Sequence, residues 1–362
     1  VEISCHGSQA ICQQILNNLI LGGARLAERG DFTYRAFMNG RIDLIQAESV
    51  LSMVTAQSQQ AASQAFRQLE GQLSEELEGF EYEIIWCLAQ LEAEIDFLSE
   101  NIEVVSRQKI QDKLSVVLRS LNDYVDSYKR GKLIKEGFRV VLVGEPNVGK
   151  SSLFNALLSE DRAIVTNIPG TTRDLIESQF NYKGFRFILF DTAGLRISTD
   201  VIENKGIEKS LKAVVEADAL LVLCDLSEGF SPSVFESMRA VDRAKMLFVG
   251  SKMDTVKDVE KAEGIAKEQL RVFFPYGNIE EQFVSVSALQ KESAEALMER
   301  LWKRVNEGKF RDRALISQAR HFENLSMARD NLMRTLEALK LSLSNEFIFI
   351  ELKEALLRIQ ET

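Results

Sequence analysis

The run GEPNVGKSS, Gly144 to Ser152, constrains the fold of this chain more than any other stretch. Gly144, Gly149, Lys150 and Ser151 fit the pattern G-x-x-x-x-G-K-[ST], with the apolar segment FRVVLVG before it and the helix-like SSLFNALL after it. Glycines at these places let backbone N–H groups of residues such as Asn147, Val148 and Gly149 turn inward toward phosphate oxygens. The helix that follows, opening at Lys150, Ser151 and Ser152, adds the partial positive charge of its N-terminus. Lys150 is expected to reach the β- and γ-phosphates of a nucleotide, and the Ser151 hydroxyl to bind Mg²⁺. A loop of this kind needs a strand on one side and a helix on the other, so it dictates a layered α/β block around itself.

The block can be followed along the chain. FRVVLVG, FRFILFDTAG, ALLVLCDLS, MLFVGSKMD and QFVSVSAL are apolar runs with helical segments between them, from about Gly137 to Val305. Continuous apolar runs spaced by helices predict a parallel sheet covered on both faces. Several runs end in chemistry. At the end of DTAG-bearing FRFILFDTAG, Asp191 can hold the metal through water and the Gly194 N–H can sense the γ-phosphate. In SKMD, Ser251, Lys252 and Asp254 follow another strand, and the Asp254 carboxylate offers two oxygens to the N1–H and N2–H donors of guanine. Adenine lacks that donor pair. Ser287 and Ala288, in SAL, can give a backbone N–H to guanine O6. This ordered set predicts a Ras-like GTPase architecture. The first residue of the base-reading motif is usually Asn, and Ser251 is shorter, with one hydroxyl in place of an amide, so a weaker hold on the base is expected.

Catalysis needs a group the usual position does not supply. Many GTPases place a water-orienting Gln directly after D-x-x-G, and here that residue is Leu195. The water must be oriented from elsewhere, and transition-state charge needs another neutraliser. An arginine from a partner, worth about 10³- to 10⁵-fold, is one candidate; a monovalent cation is the other. Asn147 carries a side-chain carbonyl able to coordinate such a cation, and it can equally be read as a turn-stabilising Asn. TNIPGTTRD, Thr166 to Asp174, has the polarity and glycine of a switch segment. Its hydroxyls and carbonyls can complete a potassium shell and bring Thr172 to Mg²⁺.

Outside the block the apolar period becomes helical. Leu73, Leu77, Phe80, Ile84, Leu88, Leu91, Ile95 and Leu98 step by three and four. So do Ile110, Leu114, Val117, Leu121, Val125 and Tyr128. A third stripe runs through Ala319, Phe322, Leu325, Leu332, Leu336, Leu339 and Leu343. Such stripes bury against one another, as in a helix bundle. The α/β block is therefore expected to be inserted into an all-α domain, with the basic, two-glycine stretch KRGKLIKEG, Lys129 to Gly137, as a domain junction. Only 4 prolines agree with a helix-dominated chain.

Composition excludes other classes. The net charge of -10 argues against bulk electrostatic binding to nucleic acid, though not against a local basic patch. Cys5, Cys12, Cys87 and Cys224 form no C-x-x-C pair, which speaks against a disulfide framework or zinc site and fits a reducing cytoplasm. No apolar run reaches membrane-spanning length. The chain starts at Val1 in mid-pattern, so a missing first part is expected.

GEPNVGKSSLFNALL, PGTTRD, DTAGLR and the earlier GDFTYRAFMNGRIDLIQAES together resemble the MnmE (TrmE) tRNA-modification GTPases over nearly the whole chain. The resemblance implies residues 1–40 as a remnant of an N-terminal α+β domain that binds tetrahydrofolate and dimerises. It further implies 41–136 and 306–362 as the two parts of the helical domain, and 137–305 as the GTPase domain. Homodimers are implied, with GTPase domains pairing across the dimer and potassium in the role of an arginine finger. Asn147, Thr166, Ile168 and Thr171 then surround the potassium ion, Ser151 and Thr172 hold Mg²⁺, and Glu203 orients the water. A residue in Glu203's position reads otherwise as the start of a helix, stabilised by its dipole. The family resemblance also implies a one-carbon tetrahydrofolate derivative at positions matching Glu2 and Arg41, and an FAD-containing flavoprotein partner, MnmG. The reaction implied is an aminomethyl-type substitution at C5 of the tRNA wobble uridine. CHGS, Cys5 to Ser8, is similar to a family CHGG turn, with a buried structural role expected instead of a Cys–His catalytic pair. The family's C-x-G-K tail, with the cysteine implicated in its chemistry, does not follow LLRIQET here. The alternative is a switch GTPase of ribosome assembly, Era- or Der-like, with no tRNA chemistry of its own.

Overall fold

A computed structural model describes residues 2–96, 106–158, 176–191, 213–237, 241–275, 277–306 and 314–362. The chain opens with α1 (Gln9–Leu21) and α2 (Asp31–Met38), neither of which buries a side chain. Helix α3 (Leu44–Val54) begins in a reciprocal cap: the Gln46 amide donates to Asp43 Oδ1 at 2.8 Å, and the Asp43 amide to Gln46 Oε1 at 2.9 Å. The Gln46 side-chain amide also donates to the Leu69 carbonyl, at the end of α4 (Gln59–Leu69).

Two long helices follow, α5 (Gln72–Asp96) and α6 (Arg107–Glu136). With α12 (Ala319–Lys340) and α13 (Asn345–Gln360) they close a bundle in which α5 packs on α6 and α13, and α12 on α6 and α13. The predicted stripes line its core: Leu73, Ile84 and Leu91 meet Ile110, Leu114 and Leu121, with Leu325 and Leu332 from α12, and Ile348 and Leu352 of α13 join them from outside any predicted stripe. Each such leucine or isoleucine contributes about 1.5–3 kcal/mol on burial. Tyr128 and Phe322 stack at 4.4 Å across α6 and α12. Leu98 lies outside the described residues. Leu343 departs from the stripe: the helix ends before it, Ser342 takes φ +53°, and Leu343 is exposed.

The stretch Lys129 to Gly137 is helix up to its last residue, where the helical arm gives way to the α/β block. Helix α6 runs through it to Glu136, and the chain turns only at Gly137, φ +97°. Gly131 is buried within the helix because another backbone crosses it: a Cβ there would lie 2.0 Å from the Ile316 carbonyl oxygen. Ile134 on α6 and Leu315 reach into the core of the α/β block.

That block holds β1 (Phe138–Gly144), α7 (Lys150–Leu157), β2 (Ile176–Tyr182), β3 (Phe185–Asp191), β4 (Ala219–Asp225), α8 (Pro232–Ser237), β5 (Met246–Ser251), α9 (Val259–Phe273), α10 (Ile279–Gln282), β6 (Phe283–Ser285) and α11 (Lys291–Asn306). The strand order is β2-β3-β1-β4-β5-β6. The sheet is mixed where a parallel one was expected: β2 pairs antiparallel with β3 at the edge. IESQFNY alternates, with Phe180 and Tyr182 buried, which is the signature of a half-buried strand. Every residue of β4 and β5 is buried, as suits strands covered on both faces. Leu153, Leu157, Leu297 and Leu301 of α7 and α11 cover one face; Ala266 and Leu270 of α9 cover the other.

Candidate functional site

The phosphate loop joins the C-terminal end of β1 to α7. Gly144 adopts φ +159° and Gly149 φ +91°. A Cβ at Gly144 would lie 2.6 Å from the Leu223 carbonyl oxygen, so only glycine lets the loop leave the sheet this close to β4. Asn147 is exposed with φ +66°, a left-handed conformation that Asn tolerates better than most residues. Val148 is buried and Ser152 exposed. Lys150 is 8% exposed, and its ammonium donates to the carbonyls of Gly144 at 2.8 Å and Glu145 at 2.6 Å. Burial pushes that ammonium below its ordinary value, while Asp191 and Glu145 favour its charge. The Ser151 hydroxyl donates to Asp191 Oδ2 at 3.0 Å, so a hydroxyl and a carboxylate from α7 and β3 converge beside the loop. Oxygen donors of that kind fit a hard cation such as Mg²⁺.

The far rim is built from β5 and β6. Asp254, on a short 3₁₀ turn after β5, accepts a hydrogen bond from the Ser287 hydroxyl at 2.5 Å. Ser287 is itself fully buried, with its amide donating to Ser293 Oγ at 2.8 Å. Ala288 follows, half-buried. The carboxylate is thereby fixed in orientation by a strand end on another part of the sheet. Lys252 takes φ +56° and pairs with Asp225 at 2.8 Å. Burial works to raise the Asp225 carboxyl, yet Lys252 and the Ser227 hydroxyl and amide outweigh it and hold it below the usual range. The Lys252 side chain passes beside Gly149.

Ser251 does something its motif position did not announce. It is 4% exposed, and its hydroxyl contacts the carbonyls of Val148 and, at 2.9 Å, Cys224. It links β4, β5 and the phosphate loop, and so acts on the loop's position. Glu145 was not singled out by the sequence pattern either. Its carboxylate accepts from Ser233 Oγ at 3.0 Å, and the Ser231 and Ser233 hydroxyls hold it below the ordinary carboxylate range. The signal lay in the serines of SPS, Ser231 to Ser233, at the start of α8, which no spacing rule ties to the loop.

Thr166, Ile168, Thr171, Thr172, Gly194, Leu195 and Glu203 lie outside the described residues. Glu2 and Arg41 are exposed, and among the described residues no hydrogen bond or ion pair joins them. Cys5 and His6 are exposed, contrary to the buried role expected of them, and Cys5 Sγ lies 3.6 Å from Cys12 Sγ. Among the described residues no helix is long and apolar enough to cross a membrane.

A sheet that ends β1 in such a loop, sets Ser151 against Asp191, and holds Asp254 at the opposite rim defines a phosphate-loop GTPase. Comparison with known proteins carries this further. The profile of the MnmE helical domain matches residues 44–362, and that of the GTP-binding protein TrmE N-terminus matches residues 1–41. The tRNA modification GTPase MnmE of Bdellovibrio bacteriovorus is 44% identical over 369 residues, 100% of this chain and 77% of that protein. Those of Natranaerobius thermophilus and Clostridioides difficile are 36% and 35% identical, over 98% of this chain and 76% and 75% of theirs. The chain belongs to the MnmE family.

Proposed function

We propose that this protein binds and hydrolyses GTP as a tRNA-modification enzyme of the MnmE type, acting on the wobble uridine with an FAD-containing partner. The observation that carries the reading is the convergence of Lys150, Ser151 and Asp191 at one end of the sheet, with Asp254 held by Ser287 at the other rim. In this reading Gly149 to Ser152 cradle the phosphates and Asp254 accepts from the guanine edge. Ser151 and Thr172 hold Mg²⁺, whose charge would offset that developing on the phosphates. Asn147, Thr166, Ile168 and Thr171 hold potassium, and Glu203 orients the attacking water.

Residues 137–305 are assigned as the GTPase domain, 41–136 and 306–362 as the helical domain, and 1–40 as the N-terminal dimerisation segment. The exposed apolar side chains Leu21, Phe32, Tyr34 and Met38 on and beside α1 and α2 support a second copy as their cover. A tetrahydrofolate derivative is the one-carbon donor in this scheme, with Glu2 and Arg41 at the positions that would meet it. Family membership across the helical arms favours this reading over an Era-like assembly switch.

The test is GTP turnover in potassium against sodium, on wild type and Glu203→Ala. Faster turnover in potassium, with GTP bound but barely hydrolysed by Glu203→Ala, is the expected result. Equal rates in both salts remove the cation role of Asn147, and wild-type turnover in the variant returns Glu203 to helix capping.

A further inference from the structure

The β2–β3 hairpin spans from the phosphate site to the helical arm. At its open end Ile176 pairs with Asp191, the residue that accepts from Ser151. Its closed end is the two-residue turn Lys183–Gly184, with φ +47° and +84°. Two left-handed turn residues match the twist of the flanking strands and make a tight hairpin. Seven paired residues per strand give a length of about 20 Å. Phe180 stacks on Phe187 at 5.7 Å, and Tyr182 meets the same ring edge-on, so cross-strand aromatics stiffen it.

The tip meets α4 where a helix is short of partners. The first amides of any helix have no acceptor within it. In α4 the Ser58 hydroxyl accepts from the Ala61 amide, and the Gln60 amide donates instead to the Gly184 carbonyl, at 3.0 Å. Beside it, Asn181 Nδ2 donates to the Gln57 carbonyl at 3.0 Å. The hairpin thus supplies part of the cap of α4. Helix α4 is in turn tied to α3 through Gln46 and Leu69, and to the C-terminal arm through Gln68 Nε2 and the Leu315 carbonyl at 2.7 Å. A hairpin displaced at Asp191 must either carry the start of α4 with it or release these bonds.

We infer that the β2–β3 hairpin is a lever that reports the occupancy of the phosphate site to the N-terminus of α4, through the Gly184–Gln60 and Asn181–Gln57 hydrogen bonds. The inference rests on the GTPase reading of the site. Coupling of this kind is reciprocal, so what loading does to α4, α4 does to loading.

The experiment is amide hydrogen exchange on the full chain, without nucleotide, with GDP, and with a non-hydrolysable GTP analogue. Nucleotide binding is measured separately with fluorescent GDP, so a protein that binds nothing refutes the GTPase reading and is told apart from a failure of coupling. Loading is expected to change exchange at residues 59–62 by about three- to tenfold, the scale of one or two modest hydrogen bonds. The uncoupled variant combines Asn181→Ala with two glycines inserted after Gly184, which carries the turn carbonyl off Gln60; surface turns accept such insertions. It should still bind nucleotide, lose the response at 59–62, and shift its analogue-over-GDP preference by the factor lost. A wild type that binds GDP with no change at 59–62, or a variant that keeps the full response, overturns the inference.

Discussion

Replacing Ser251 by alanine should loosen the phosphate loop from behind. The Ser251 hydroxyl lies between the carbonyls of Cys224 and Val148, in a position 4% exposed. It has one proton, which serves one carbonyl at a time. Alanine takes the donor from both. A buried acceptor left without its partner costs about 1–3 kcal/mol. Cys224 sits in β4, where its pairing with Gly250 of β5 holds it regardless, so the loss falls on Val148 and the loop. A weakening of about 1–2 kcal/mol raises the dissociation constant for GDP by about 5- to 30-fold. The assay is titration of fluorescent GDP at constant Mg²⁺, with thermal melts to show that the sheet is intact. Ser251→Asn is the second arm: an amide nitrogen has two protons, one for each carbonyl, and should bind GDP at least as tightly as wild type. An alanine variant that binds GDP within about twofold of wild type would refute the reasoning, since a tenfold change corresponds to only 1.4 kcal/mol.

Gly131→Ala sets two effects against each other. Helix propensity favours alanine by about 1 kcal/mol, but a Cβ 2.0 Å from the Ile316 carbonyl forces the crossing segment away from α6. The net expectation is a loss of about 2 kcal/mol or more, read as a lower urea midpoint; an unchanged midpoint would mean the crossing is not tight. Asp254→Asn still accepts from Ser287 but presents an amide donor to the base, so GTP affinity should fall about tenfold or more and xanthosine triphosphate should compete better. Unchanged guanine selectivity would place base reading elsewhere. His321 is buried, with Nε2 3.1 Å from Glu48 Oε2, and burial pushes it below its ordinary 6.5 despite that carboxylate. Below pH 6.5 the unfolded chain binds the extra proton more readily than the folded one, so stability falls as pH drops from 6.5 through the lower folded value. His321→Gln should flatten that slope in urea midpoints measured across the same pH range, and a slope that survives the substitution would assign it to other groups.

Much of the molecule was legible in the residues alone. The stripes of Leu73 to Leu91, Ile110 to Leu121 and Leu325 to Leu336 predict helices because a period of three and four has one structural solution, and the bundle core contains them. The loop from Gly144 to Ser151 was readable because close backbone approach and left-handed torsions at Gly144 and Gly149 demand those residue types. In both cases the determinant lies within a short stretch of chain, so local pattern suffices.

Other features depend on what comes near from far along the chain. Gly131 reads as part of a domain junction from its neighbours, and only the passage of Ile316 shows it to be a close-packing site inside a continuous helix. Ser251 reads as a poor base contact, and only the placement of Val148 and Cys224 around it reveals a brace for the loop. Glu145 and Ser233, or Gly184 and Gln60, have no sequence rule linking them. The sequence by itself determined which segments become helix, strand and phosphate loop, because those preferences are carried by side-chain periodicity and backbone torsion. The tertiary structure alone decided which buried carbonyl each donor serves and which backbone each glycine admits, because those contacts join residues whose spacing along the chain carries no information about their distance in space.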